Sequence, residues 1–401
     1  MGINLVKKKL IILGNGFDLA SGLKSRYYDF FSSRFNEDLI SDLDYAWEDF
    51  KENIYNENVW FHTKFDRMEK KESYGRIAER KISYSSGDEH KIYESIQASG
   101  LTFWDLVFYF SKFRSDSKDF SDYDWCDVEK RMLEFFQTPE ELKEIPSFNR
   151  LDSVGTLLCL HLAYYLPRET SVDSNKDIVD YFYDELRIFE KEFSQYINSL
   201  SDDNNYRKKA VEKIYNISLK PIDKIDDKIF SFNYTDPFTE EGLDVINVHG
   251  KAATESILFG IDQEKIVPDA KTFRFTKTFR QMTETKLAKN YTKIILPDKE
   301  EVKEIAFFGH SLSEFDYSYF QTIFDHYEIY NSSVSLVFYY QPYGEKSSED
   351  MEFELAASIS KMLYAYSPSI DNEKKGRNLM HKLLLEKRLI MSELADFYIA
   401  E

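Results

Sequence analysis

Leu10-Ile11-Ile12-Leu13-Gly14-Asn15-Gly16-Phe17-Asp18-Leu19-Ala20-Ser21-Gly22-Leu23 is the stretch that decides the fold. A continuous apolar run leads into a Gly-x-Gly turn and then into a helix start. Unbroken apolar character, rather than alternation, predicts a strand covered on both faces, as in a parallel sheet. Further short apolar runs of the same kind are Lys228–Phe232, Val245–Val248, Ser256–Phe259, Glu304–Phe308 and Val334–Tyr340. With Lys9–Leu13 they make six expected strands, of which five lie after residue 220.

Residues 25–220 read as helical. Leu101–Phe110 is strongly apolar, Trp125–Phe136 carries apolar residues at helical spacing, and so does Ile178–Ile197 through Tyr181, Leu186, Phe189, Phe193 and Tyr196. The first strand must pair with the later ones, so this helical block is an insertion and not an independent leading domain. The expected organisation is an α/β core from residues 1–24 and 221–345 with a mostly parallel sheet. The helical insertion covers 25–220, and a helical tail, 346–401, packs on the core. Gly and Pro total only 14 + 9 = 23 of 401 residues, below the roughly 12% of an average chain. That scarcity of breakers favours long helices and argues against an all-β fold. Phe, Tyr and Trp supply 16% of the chain, enough either to fill a helical core or to line a subunit interface in a homo-oligomer.

Charge weighs against several function classes. Lys and Arg number 52 against 71 Asp and Glu, so 52 − 71 = −19, and such a surface repels nucleic acid and anionic lipid at long range. The two cysteines, Cys126 and Cys159, form no CxxC pair, which argues against a disulfide framework or a zinc site. The apolar run after Lys7-Lys8-Lys9 is too short for a signal peptide. No window reaches the length of a membrane span. The expectation is a soluble cytoplasmic protein with no metal and no membrane partner.

Four strand ends carry chemistry-bearing residues. After the first strand, Gly14-Asn15-Gly16 allows close backbone approach, and a helix N-terminus there attracts phosphate or carboxylate. The usual dinucleotide spacing would want a glycine at 19, where Leu19 stands. Asn233-Tyr234-Thr235-Asp236 ends the second run, and Pro237 suits a following helix start. His249-Gly250 ends the third, where an imidazole suits general base work. Gly309-His310-Ser311 follows a later one, with Ser311 or Ser313 available to cap the next helix. In an open α/β sheet these ends converge on one edge.

Gly14-Asn15-Gly16-Phe17-Asp18-Leu19, with Asn233-Tyr234-Thr235 and Gly309-His310-Ser311-Leu312 running to Asp316, resembles the AbiH family of bacteriophage abortive infection proteins over most of the chain. The core segments, about a third of the chain, are also similar to the wider sirtuin-like, NAD-consuming enzymes. Gly14, Gly16, Ser21, Gly22 and Leu23 match their first motif. Asn233 stands where those enzymes carry a catalytic Asn, His249-Gly250 where they carry a catalytic His, and Gly309-His310-Ser311 at their ribose-side turn.

The resemblance implies a Rossmann-like (sirtuin-like) core and NAD as substrate. It implies an antiphage effector that hydrolyses the nicotinamide–ribose bond, with Asn233 orienting ribose and water and His249 as base. The loop of Gly14, Asn15 and Gly16 with Ser21 and Gly22 would hold pyrophosphate. Gly309, His310, Ser311 and Asp316 would position a ribose or adenine edge. Asp18 replaces a Ser of that motif and would hydrogen-bond a ribose or cap the helix. The paired zinc cysteines of sirtuins are missing, which argues against deacetylation.

The alternatives are a non-catalytic nucleotide-binding switch docking a phage or host protein, and a nuclease toxin. The second would use a basic segment, Lys271, Arg274, Lys277, Arg280, Lys286, Lys289 and Lys293, interleaved with Phe273, Phe275 and Phe279. A solvated helix face is the plainer reading of that segment. Trp125 to Glu129 resembles a recurrent AbiH element in which Glu129 faces the cleft or pairs with a nearby base.

Overall fold

The computed structural model describes residues 8–49, 87–111, 125–136, 178–263, 266, 268, 270–285, 295–342, 346–370 and 373–394. Six strands form one sheet: β1 (Lys8–Leu13), β2 (Lys228–Ser231), β3 (Val245–Asn247), β4 (Val302–Phe308), β5 (Ser335–Tyr340) and β6 (Leu389–Glu393). Their order is β3-β2-β1-β4-β5-β6 and every neighbouring pair is parallel. β1 is central, with Leu10–Leu13 registered on Lys228–Ser231 and on Ile305–Phe308. The chain leaves β1 toward β2 on one side and returns to β4 on the other, so the strand order reverses there. In a Rossmann-like α/β sheet that reversal opens a crevice at the carboxyl ends of the strands.

The unbroken apolar run of β1 serves both faces. Leu10 and Ile12 join Phe230, Ile305, Phe307, Leu336 and Phe338 against the helices Tyr317–His326, Ser348–Tyr366 and Leu379–Leu385. Ile11 and Leu13 join Ile229, Ala306 and Phe308 against Ala210, Ile214 and Ile217 of the helix Asn204–Ser218. Period-two side-chain alternation with a helix on each face explains why no polar residue interrupts the strand.

The chain divides into two compact units. One comprises Met1–Arg26, Ser194–Leu258 and Gln281–Glu401; the other comprises Tyr27–Phe193 and Phe259–Arg280. The first holds the sheet. The second is helical, including Tyr27–Arg34, Glu37–Asp49, Gly87–Ala98, Phe103–Ser111 and Trp125–Phe136. Its centre is aromatic: Phe30, Phe31, Phe103, Trp104, Phe108, Phe182 and Phe189 are all within 2% of full burial. Phe103 and Phe182 stack at 4.7 Å, and Phe30 meets Phe189 edge-on at 5.8 Å. These aromatics fill the inside of the unit.

Three expectations fail. Ser256–Phe259 is not a strand. Its apolar residues Ile257, Leu258 and Phe259 are buried because the loop folds inward, with the Leu258 N–H donating to the His249 carbonyl at 2.9 Å. The tail is not all helix, since β6 closes one edge of the sheet; half-exposed and following a helix directly, it lacks the apolar run of a central strand. Pro237 begins a turn, not a helix. Among the described residues no helix is long and apolar enough to cross a membrane. Cys159 and the side chain of Cys126 lie outside the described residues.

Candidate functional site

The loops after β1 and β4 interlock through glycines. The Gly16 N–H donates to the Gly309 carbonyl at 2.7 Å, and the Gly14 N–H to Phe308 at 3.1 Å. A Cβ on Gly14 would lie 2.4 Å from the His310 Cα, and one on Gly16 2.8 Å from the Gly309 Cα. Gly309 has φ +69°, and a Cβ there would fall 2.1 Å from the Phe17 nitrogen. The glycine pattern is therefore explained by two backbones packing against each other at van der Waals limits. The short helix Asn15–Ala20 ends at Ser21, whose hydroxyl donates to the Phe17 carbonyl at 2.8 Å, and Gly22 takes the left-handed conformation that stops it (φ +96°). Asn15 Oδ1 accepts from the Ser25 hydroxyl at 2.6 Å. Gly14, Asn15, Gly16, Ser21 and Gly22 all have structural work within the chain.

Asp18 is buried beneath these loops at 2% exposure. Tyr206 donates its hydroxyl to Oδ1 at 2.8 Å, and the Thr235 hydroxyl lies 3.0 Å from Oδ1 and 2.9 Å from Oδ2. Burial pushes the Asp18 carboxyl up to about 7, against the opposing hydrogen bonds from Tyr206, Thr235 and Asn233. Tyr206 is in turn pushed well above its ordinary value by burial and by the Asp18 charge.

Asn233 follows β2 and is 5% exposed. Although it bears on Asp18, neither its amide nitrogen nor its amide oxygen has a well-formed hydrogen-bond partner. Its backbone is fully engaged, by contrast. The Asn233 N–H donates to the Ser231 hydroxyl at 3.2 Å, and Asn247 Nδ2 donates to the carbonyls of Asn233 at 2.9 Å and Thr235 at 2.7 Å. A buried amide without well-formed hydrogen bonds is costly unless something else meets its polar atoms.

His249, at the end of β3, has its Nε2 3.7 Å from Asp316 Oδ1, and His310, after β4, has its Nε2 3.7 Å from Asp316 Oδ2. One carboxylate thus lies between two imidazoles. Phe232 meets both rings edge-on, at 5.3 Å for His249 and 4.6 Å for His310. The Leu312 N–H donates to His310 Nδ1 at 2.9 Å, which assigns the proton of a neutral His310 ring to Nε2, facing Asp316. Leu312 adopts φ +55° to do so. Gly250, at φ +87°, lets the loop turn against Ser256, whose carbonyl would lie 1.9 Å from a Cβ. Gln281 donates to the Val248 carbonyl at 2.9 Å and to the Tyr319 hydroxyl, and the Tyr319 ring lies 5.7 Å from that of His249.

The fold thus brings Asn233, His249, His310 and Asp316 to the carboxyl edge of the sheet together with the Gly14–Gly16 loop. Ser311 is exposed there, and Ser313 caps the turn Glu314–Asp316. Thr235, part of the quoted Asn233-Tyr234-Thr235 motif, supports this edge, as do Asn247, Tyr206 and Tyr319, which were not foreseen. An Asn ending a strand was the one available signal for Asn247; nothing local marks Tyr206, 188 positions from Asp18.

In the second unit, three cations of the basic segment are paired with acids. Arg280 is fully buried and paired with both carboxylate oxygens of Glu190, Lys277 reaches Glu129 at 2.8 Å, and Arg274 pairs with Asp180. Glu129 thus has an ion-pair role, and these cations are met by acids of this unit instead of forming a solvated face. Lys286, Lys289 and Lys293 lie outside the described residues. Among the described residues no three His, Cys, Asp or Glu side chains are arranged to hold a metal ion.

Fold and site together define an α/β protein whose polar groups gather at the switch point of a parallel sheet. Residues 10–340 match the family described as bacteriophage abortive infection AbiH, and the chain belongs to that family. Membership supports a role in abortive infection of phage. No curated protein and no solved structure matches the chain.

Proposed function

We propose that this chain is an abortive infection effector that hydrolyses the nicotinamide–ribose bond of NAD or a related nucleotide at the carboxyl edge of its sheet. The observation that carries the reading is the Asn233 amide, buried at the switch point beside Asp18 with neither polar atom in a well-formed hydrogen bond. An amide so held can accept from a ribose hydroxyl and donate to an incoming water. Motif order gives further support, being similar to that of sirtuin-like enzymes.

In the reaction, water oxygen bonds to the anomeric carbon while the carbon–nitrogen bond breaks. The bonding pair passes to the pyridinium nitrogen, so nicotinamide leaves neutral and needs no general acid. His249 takes the water proton, and the Asp316 carboxylate 3.7 Å away stabilises the imidazolium that results. The products are nicotinamide, ADP-ribose and a proton. Because Gly16 spends its N–H on Gly309, the glycines serve this reading by locking the β1 and β4 loops together. A phage-encoded trigger or host protein, and self-association, belong to the same proposal.

His249→Gln tests the base. Turnover is expected to fall about 10²- to 10⁴-fold, the usual worth of a general base, with NAD binding retained. A His249→Gln protein as fast as wild type would remove His249 from the mechanism. NAD binding without turnover in the wild type, before and after phage infection, would favour the non-catalytic switch.

A further inference from the structure

Asp18 occupies the motif position at which a ligand contact was expected, yet its surroundings turn it inward. Both of its oxygens are within hydrogen-bond distance of protein hydroxyls: Oδ1 accepts from Tyr206 at 2.8 Å, and Thr235 Oγ1 straddles the carboxylate at 3.0 and 2.9 Å. At 2% exposure it presents no edge to a ligand. Thr235 is two residues from Asn233, and the turn joining them is clamped from the other side. Asn247 Nδ2 holds the carbonyls of Asn233 and Thr235, and the Ala252 N–H holds that of Tyr234 at 2.9 Å. Three consecutive carbonyls and one side-chain hydroxyl are therefore fixed, while the Asn233 amide, beside Asp18, has no well-formed hydrogen bond of its own.

We propose that Asp18 is a positioning residue: with Tyr206 and Thr235 it fixes the turn that aims the Asn233 amide, and it does not itself touch the ligand. The inference rests on Asn233 being the ligand-facing group of the function proposed above. Its physical basis is that the rotamer of a buried side chain is only as well defined as the backbone carrying it. Tyr206 stands in the first turns of the helix Asn204–Ser218, whose N-terminus is capped by Asp203 accepting from the Asn205 N–H at 2.8 Å. The orientation of Asn233 is thereby tied to the seating of that helix on the sheet.

The test compares Thr235→Val, which keeps the volume and deletes the hydroxyl, with Thr235→Ser, which keeps the hydroxyl, alongside Tyr206→Phe and Asp18→Asn. Hydrogen–deuterium exchange over residues 232–236 reads the turn directly and needs no ligand. Thr235→Val is expected to raise exchange there at least tenfold while the exchange of β1 and β4 stays at wild-type level, and Thr235→Ser to restore protection. With NAD as probe, kcat is expected to fall at least tenfold in Thr235→Val and Tyr206→Phe with KM within twofold, and Thr235→Ser to recover to within threefold. Wild-type exchange over 232–236 in Thr235→Val would overturn the proposal. So would an Asp18→Asn protein that loses NAD affinity while Thr235→Val and Tyr206→Phe do not, since that pattern belongs to a ligand contact. A wild-type protein without NAD turnover would defeat the proposed reaction but leave the exchange result to decide this inference.

Discussion

Burying the Asp18 carboxylate under the Tyr206 and Thr235 hydroxyls makes its proton affinity a property of the fold. Its folded value, about 7, stands above the ordinary 3.8, so the native state holds the proton more tightly than the unfolded chain does. The sign follows: this group's contribution to stability is greatest below about pH 4, declines as pH rises toward 7, and is flat above that. Asp18→Asn should abolish this pH dependence. Urea midpoints for wild type and Asp18→Asn at pH 5 and pH 8 check this: the variant gains relative to wild type at the higher pH. An equal difference at both would contradict it. Gly309 gives a second residue-scale prediction. With φ +69° and a Cβ that would sit 2.1 Å from the Phe17 nitrogen, Gly309→Ala combines left-handed strain with a backbone clash. The loss should be roughly 3 kcal/mol or more, read by denaturant unfolding. A change under about 1 kcal/mol would mean the two loops can separate freely.

Elements were legible where local pattern and tertiary role agree. β1 reads correctly because both faces are covered, and the helices Trp125–Phe136 and Ile178–Ser201 because one face of each is apolar. β6 escaped because Leu389-Ile390-Met391-Ser392-Glu393 is half-exposed at the sheet edge and borrows its strand character from β5. Ser256–Phe259 misled for the opposite reason: inward-facing loop residues look like a strand when only polarity is read. The basic segment shows the same limit, since no local signal says that Arg280 will meet Glu190, 90 positions away. Arg280→Met alone should cost about 3–5 kcal/mol, because buried Glu190 loses the partner of both its oxygens and is left with the more distant Arg187 at 3.6 Å. Arg280→Met with Glu190→Leu should recover most of that in the unfolding midpoint. A double variant no better than the single would show that the Phe259 backbone, held by both side chains, matters more than the charge pair.

Across the whole molecule, the strand order β3-β2-β1-β4-β5-β6 accounts for why residues as far apart as 18, 233, 249 and 316 belong to one site. The site was legible in outline because strand ends in such a sheet share an edge. Its inner wiring was not. Asn247 and Tyr206 act through backbone and hydroxyl contacts that only the folded chain creates. That the glycines also pack loop on loop was not visible in their spacing. At that edge the buried Asn233 amide has no well-formed hydrogen bond among the described residues. The measurement that bears on it most directly is nicotinamide release from NAD by purified wild type and by Asn233→Ala of matched stability. Release by wild type, one nicotinamide per ADP-ribose, with at least a hundredfold loss in Asn233→Ala is the predicted result. Equal release by the two proteins would contradict the assignment of Asn233 to the chemistry.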